Sequence, residues 1–175
     1  MKKNTIILIA AIVAVGLWLM SAYNSMVSSE EAVETAWSQV ENVYQRRMDL
    51  IPNLVATVKG YAQHESQTLE GVINARSKAT QVTVDPENLT PEALAEFNKA
   101  QGELSSAIGR LTMITESYPD LKPNQNSSEL QAKLEGTENR ITTERMKFNE
   151  TAKEYNTLIR KFPKSIIASI FGFEK

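Results

Sequence analysis

The stretch VETAWSQVENVYQRRMDLIPNLVATVKGYAQHESQTLEGV, residues 33–72, decides the fold. Val33, Trp37, Val40, Tyr44, Arg47, Ile51, Leu54, Val58, Tyr61, Glu65, Leu69 and Val72 recur at steps of three and four, the seam of a helix packed lengthwise on other helices. Two of these positions, Arg47 and Glu65, carry charge. A buried ion is tolerated only when it is paired. Each is therefore expected to meet an opposite charge on a facing helix and fix its register, unless the seam rotates there and lets the charge reach solvent.

Pro52 interrupts this pattern, since a proline inside a helix removes a hydrogen bond and costs ~3 kcal/mol, whereas one in a first turn is tolerated. Two topologies follow. In one, the helix kinks at Pro52 and runs on to about residue 79, leaving three long helices with the C-terminus at the pole away from the N-terminal segment. In the other, Asp49 caps a new helix after a reversal, and four up-and-down helices bring the C-terminus back. The seam keeps its phase across Pro52 and residues 47–53 contain no Gly, which favours the continuous helix.

Towards the N-terminus, Asn4 to Ser29 carry no charge, and the run IILIAAIVAVGLWLMSAY, Ile6–Tyr23, is long enough to cross ~30 Å of hydrocarbon. Trp18 and Tyr23 stand near its far end, where amphipathic aromatics settle at an interface. A cleaved signal peptide is the alternative, but the run is longer than a usual signal core and the candidate site Met20-Ser21-Ala22 begins with a bulky residue. Lys2 and Lys3 against Glu30, Glu31 and Glu34 place residues 1–5 in the cytoplasm and the main domain outside it, periplasmic in a cell with two membranes. The span is expected at residues 6–23, a helical bundle at 24–163 and an apolar tail at 164–175.

Towards the C-terminus, Thr90-Pro91-Glu92 opens a helix with Thr90 as N-cap, ending near Ser117. After the breaks at Tyr118-Pro119 and Lys122-Pro123, a last long helix is expected with Asn126 as cap and Glu129 in the capping-box position. It aligns Leu130, Leu134, Thr137, Ile141, Glu144, Phe148, Ala152, Tyr155, Ile159 and Phe162, and stops at Pro163. Gln81–Val84 alone looks extended, so the fold class is all-α: an N-terminal transmembrane helix followed by an elongated antiparallel bundle of three to four long helices.

Beyond the span, 17 Lys and Arg (the 19 of the chain less Lys2 and Lys3) face all 21 Asp and Glu, which is not the basic footprint of nucleic-acid binding. The chain has no Cys, so no disulfide framework supports it. Its single His, His64, is followed by Glu65, but zinc sites need about four ligands and metalloprotease motifs two His, so neither a metal nor any other cofactor is expected. An enzyme, or an accessory subunit of an envelope hydrolase, would have to use His64 and Glu65 or the Arg and Glu residues of the seam. Arg46, Arg47 and the run Thr137-Glu138-Asn139-Arg140 also suit a polar network ordering oligomer contacts.

The tail SIIASIFGF, 165–173, is too short to span a bilayer. Ile166, Ile167, Ile170, Phe171 and Phe173 would form an exposed apolar patch if left in water. Docking on the chain's own bundle, insertion at a membrane surface and packing on a neighbouring subunit compete for it.

The block AWSQVEN (36–42) through QRRMDLIPNLV (45–55) and VKGYA (58–62) resembles the signature of the LemA family. The resemblance continues at YPDLK (118–122), TENRI (137–141), Tyr155-Asn156, Phe162-Pro163 and Phe171-Gly172-Phe173. It implies a bacterial membrane-anchored helical bundle with no accepted enzymatic activity or cofactor, and it transfers no functional residue. The expectation is therefore a non-enzymatic envelope scaffold or assembly protein in the inner membrane. It would work through helix-mediated self-association as a homo-oligomer and through envelope protein partners. The candidate contact residues are Arg47, Glu65, Glu144, Ile166, Ile167, Ile170, Phe171 and Phe173.

Overall fold

The structure, a computed structural model, describes residues 2–59, 66–117 and 125–175. Five helices are present among them: α1 (Lys2–Lys59), α2 (Ser66–Gln81), α3 (Pro91–Ser117), α4 (Gln125–Arg160) and α5 (Lys164–Phe171). No strand occurs among the described residues; of the segment that looked extended, Gln81 ends α2 and 82–84 are loop. The chain divides into two units, residues 38–145 and residues 1–37 with 146–175.

In the unit 38–145, α1 continues through Pro52, as the seam phase requires. It does not run on to residue 79. Arg76 Nε donates to the Met48 carbonyl at 3.0 Å and Thr80 approaches Met48 Sδ, so α2 runs back antiparallel to α1. The chain does not reverse at Asp49–Pro52, and α1 and α2 are separate helices, so the bundle has four segments rather than three. The phase misled here because Leu69 and Val72 fill the same core as Leu54 and Val58, from the returning helix α2.

The Pro52 problem is resolved locally. In a regular helix the N–H of residue 52 would bond the carbonyl of Met48, four residues earlier. Proline has no N–H, and the carbonyl it leaves free is the one that Arg76 of α2 takes. A backbone defect in α1 thus becomes an attachment point for α2.

Thr90 caps α3 as expected, accepting from the Ala93 N–H at 3.2 Å. α3 runs parallel to α1, with Tyr44 against Phe97 edge to face at 5.2 Å and Arg47 reaching Gln101 one turn later. α4 begins at Gln125, so Asn126, expected as its cap, falls inside the helix. The core is assembled from small and aliphatic residues of all four segments, with Ile51, Val72, Leu104 and Leu111 almost fully enclosed.

In the other unit, α4 passes antiparallel to α1: Trp37 meets Phe148 at 5.2 Å, and Met26 shares a core with Tyr155 and Ile159. α5 closes that core with Ile167 and Ala168 packed with Ala22 and Met26. It ends at Gly172, whose φ of 74° lies in the left-handed region that only glycine enters freely, and the Phe173 N–H returns to the Ala168 carbonyl at 2.9 Å. The tail therefore sits where the apolar run of α1 ends, not at a remote pole as the three-helix topology required. The run itself is bare: Ile6, Leu8, Ile12 and Leu17 are each at least 60 % exposed. α1 is long and apolar enough there to cross a membrane.

Candidate functional site

Arg47 enters the core because the α1 seam turns it inward between Tyr44 and Ile51, and it is 1 % exposed. Its guanidinium donates to the Gln101 carbonyl at 3.1 Å, to Gln101 Oε1 at 2.7 Å, to Ser105 Oγ and to Glu138 Oε1 at 2.9 Å. The cation also lies over the Tyr44 ring, 5.1 Å from its centroid. Only Nε is left without an acceptor. One buried charge thus ties α1 to α3 and α4, and its whole donor fork except that atom is spent inside the bundle.

Among the described residues the acid that Arg47 meets is Glu138 and not Glu144. Glu65 and His64 lie outside the described residues. Glu144 stands on the bundle surface beside Arg140, two turns beyond Glu138 along α4. Sequence reasoning missed Gln101 and Ser105. Gln101 was findable, since it falls in step with Phe97, Leu104, Ile108 and Leu111, a seam in which a lone amide needs a buried partner. Glu138 stood in the TENR run read as a polar network; it meets Arg47 within the chain, while Arg46 and Arg140 of the same expected network stay exposed.

Above Arg47, the outward faces of α1 and α4 form an open polar groove of about 590 Å³. Gln39, Asn42, Gln45, Arg46 and Asp49 line one wall, Arg140 and Glu144 the other, with Val43 at the floor. Gln45 is held to Asp49 at 3.0 Å across one helical turn. The groove carries charges of both signs on two neighbouring helices, a pattern suited to reading a complementary polar surface. Among the described residues no cluster of His, Asp and Glu could hold a metal ion.

The five tail residues divide. Ile167 is buried, and Phe173 is half-buried with its ring 5.6 Å from that of Tyr23. Ile166, Ile170 and Phe171 are exposed, Phe171 touching Tyr23 edge to face at 5.0 Å. Behind them the Tyr155 hydroxyl is buried, near the Glu30 carboxylate but too far from it for a close hydrogen bond. Burial first, and the nearby Glu30 carboxylate second, push its pKa from 10 up to about 12.

Residues 36–175 match the LemA family. Among curated proteins, the chain is 26 % identical to magnetosome protein MamQ 2 of Paramagnetospirillum magneticum, over 97 % of this chain and 69 % of that one. It is 27 % identical to magnetosome protein MamQ of Magnetospirillum gryphiswaldense, over 95 % and 68 %. With protein LemA of Metamycoplasma hominis the identity is 23 %, over 83 % of this chain and 63 % of the relative.

Proposed function

From the membership of this chain in the LemA family, we propose a membrane-anchored scaffold of the bacterial envelope that assembles with its own copies and with protein partners, without catalysing a reaction. The observation that carries this reading is the groove on α1 and α4. Gln39, Asn42, Gln45, Arg46, Asp49 and Arg140 belong to the stretches that carry the family resemblance, yet they lie outside the core, so packing does not account for them. Arg47, from the same block, meets the needs of the fold from within. The bare apolar helix supplies the anchor, with Lys2 and Lys3 on the cytoplasmic side and the bundle outside. The relatives named for the magnetosome bear a name of place and not of a reaction, which fits this role.

The test is the particle mass of the full-length protein in detergent, with Arg46 and Arg140 both replaced by Glu. Assembly through the groove predicts smaller particles at unchanged helix content. An unchanged mass, together with unchanged cross-linking to neighbours in the cell, would remove the groove from the reading.

A further inference from the structure

We propose that α5 is an interfacial helix that lies on the same bilayer the apolar run of α1 crosses, its outer face in the acyl boundary and its flanking cations on anionic phospholipid headgroups. The inference rests on reading that run as a membrane span. From Lys3 to Tyr23 the helix rises ~30 Å, the thickness of the hydrocarbon core, so Tyr23 stands at the membrane surface. α5 is docked there: Ile167 and Ala168 are buried with Ala22 and Met26, and Phe171 and Phe173 touch Tyr23.

Docking uses only one face of α5. Ile166 and Ile170, one helical turn apart, are 53 % and 71 % exposed, and Phe162, in the turn that leads into α5, is 81 % exposed. This apolar stripe continues the bare surface of α1 at Leu19, Met20 and Tyr23, so a bilayer around the span would meet both. Charge agrees. The chain as a whole is at −2, yet residues 160–175 carry Arg160, Lys161, Lys164 and Lys175 against Glu174 alone. Arg160 and Lys161 are exposed and Lys164 is half-exposed, at the end of α4 and the first turn of α5. Basic residues flanking an apolar stripe are the pattern that holds a helix in the plane of an anionic surface.

The chain has no cysteine, so single cysteines can be spin-labelled in the full-length protein reconstituted into vesicles. Labels at Ile166→Cys and Ile170→Cys should collide more with oxygen than with a nickel chelate, as should one at Val13→Cys in the span. A label at Ile73→Cys, on the exposed face of α2, should show the reverse. If Val13 reads as lipid while 166 and 170 read as water, the span stands and the inference fails. Shielding of 166 and 170 from both reagents also overturns it, since protein then covers the stripe. A water reading at Val13 removes the span and the inference with it. Immersion at 170 should be deeper in vesicles of phosphatidylcholine with phosphatidylglycerol than in phosphatidylcholine alone, and Lys161→Gln with Lys164→Gln should abolish the difference. Equal immersion in both vesicles overturns the headgroup assignment.

Discussion

Replacing Arg76 by Met should destabilise the protein when Pro52 is present and do nothing when it is not. The Met48 carbonyl lacks its helical donor because residue 52 is proline, and Arg76 Nε supplies one at 3.0 Å. A hydrogen bond from a charged donor contributes ~1.5–3 kcal/mol, and the partly exposed Arg76 belongs at the lower end, about 1.5 kcal/mol. Methionine keeps the stem and removes the donor. Alanine at 52 restores the N–H and relieves up to ~3 kcal/mol of proline penalty, of which about half is already offset by Arg76, so Pro52→Ala should stabilise by ~1.5 kcal/mol. Pro52 is exposed, so no cavity opens. In the Pro52→Ala background Arg76→Met should cost nearly nothing, a coupling of about 1.5 kcal/mol, or roughly 3–6 °C in Tm for a chain of this size. Thermal unfolding of the four proteins in detergent, followed by circular dichroism, measures it. Equal losses from Arg76→Met in both backgrounds would refute the idea that α2 is pinned by the proline defect.

Glu138→Gln should lower stability by about 2 kcal/mol, because it leaves the Arg47 charge buried without an anion, and the loss should vanish once Arg47 is Met; simple additivity in a double-mutant cycle would contradict this. Tyr155→Phe removes a buried hydroxyl that makes no close hydrogen bond, with only a distant one to Glu30 to lose, so Tm should hold or rise at neutral pH. The folded state keeps that phenol protonated up to about 12 while the unfolded chain releases it from 10, so its contribution is intact below pH 10 and lost as pH rises towards 12. The wild type should therefore weaken across that window more than Tyr155→Phe, and parallel pH curves would count against the assignment. His64→Gln should leave folding, particle mass and cellular phenotype unchanged; a lost phenotype at normal abundance would bring back the enzyme reading.

How far the residues spoke for themselves is clearest at Arg47. Its step in the seam announced a buried cation and hence a partner on another helix, but the acids in step with the seams were Glu65 and Glu144, and Glu138 stood only in a polar run. The choice fell to Glu138 because α4 passes antiparallel with that residue level with Arg47, a matter of register between helices distant in sequence. The groove residues were legible as polar positions of the family block, while their convergence across α1 and α4 was not.

Residue spacing and the chemistry of chain neighbours were enough for the all-α class, the cap of α3, the apolar run and the inward-facing positions, though not for the break between α1 and α2 or for α5. Tertiary structure decided where α1 turns back, which acid meets Arg47, and which half of the tail is covered. A seam of 3.6-residue period keeps its phase whether the helix runs straight or doubles back onto the same core, so periodicity cannot see the reversal. Likewise, an apolar tail states its need for a cover, and only the position of Ala22, Tyr23 and Met26 beneath it shows that Ile167 is satisfied while Ile166 and Ile170 face outward.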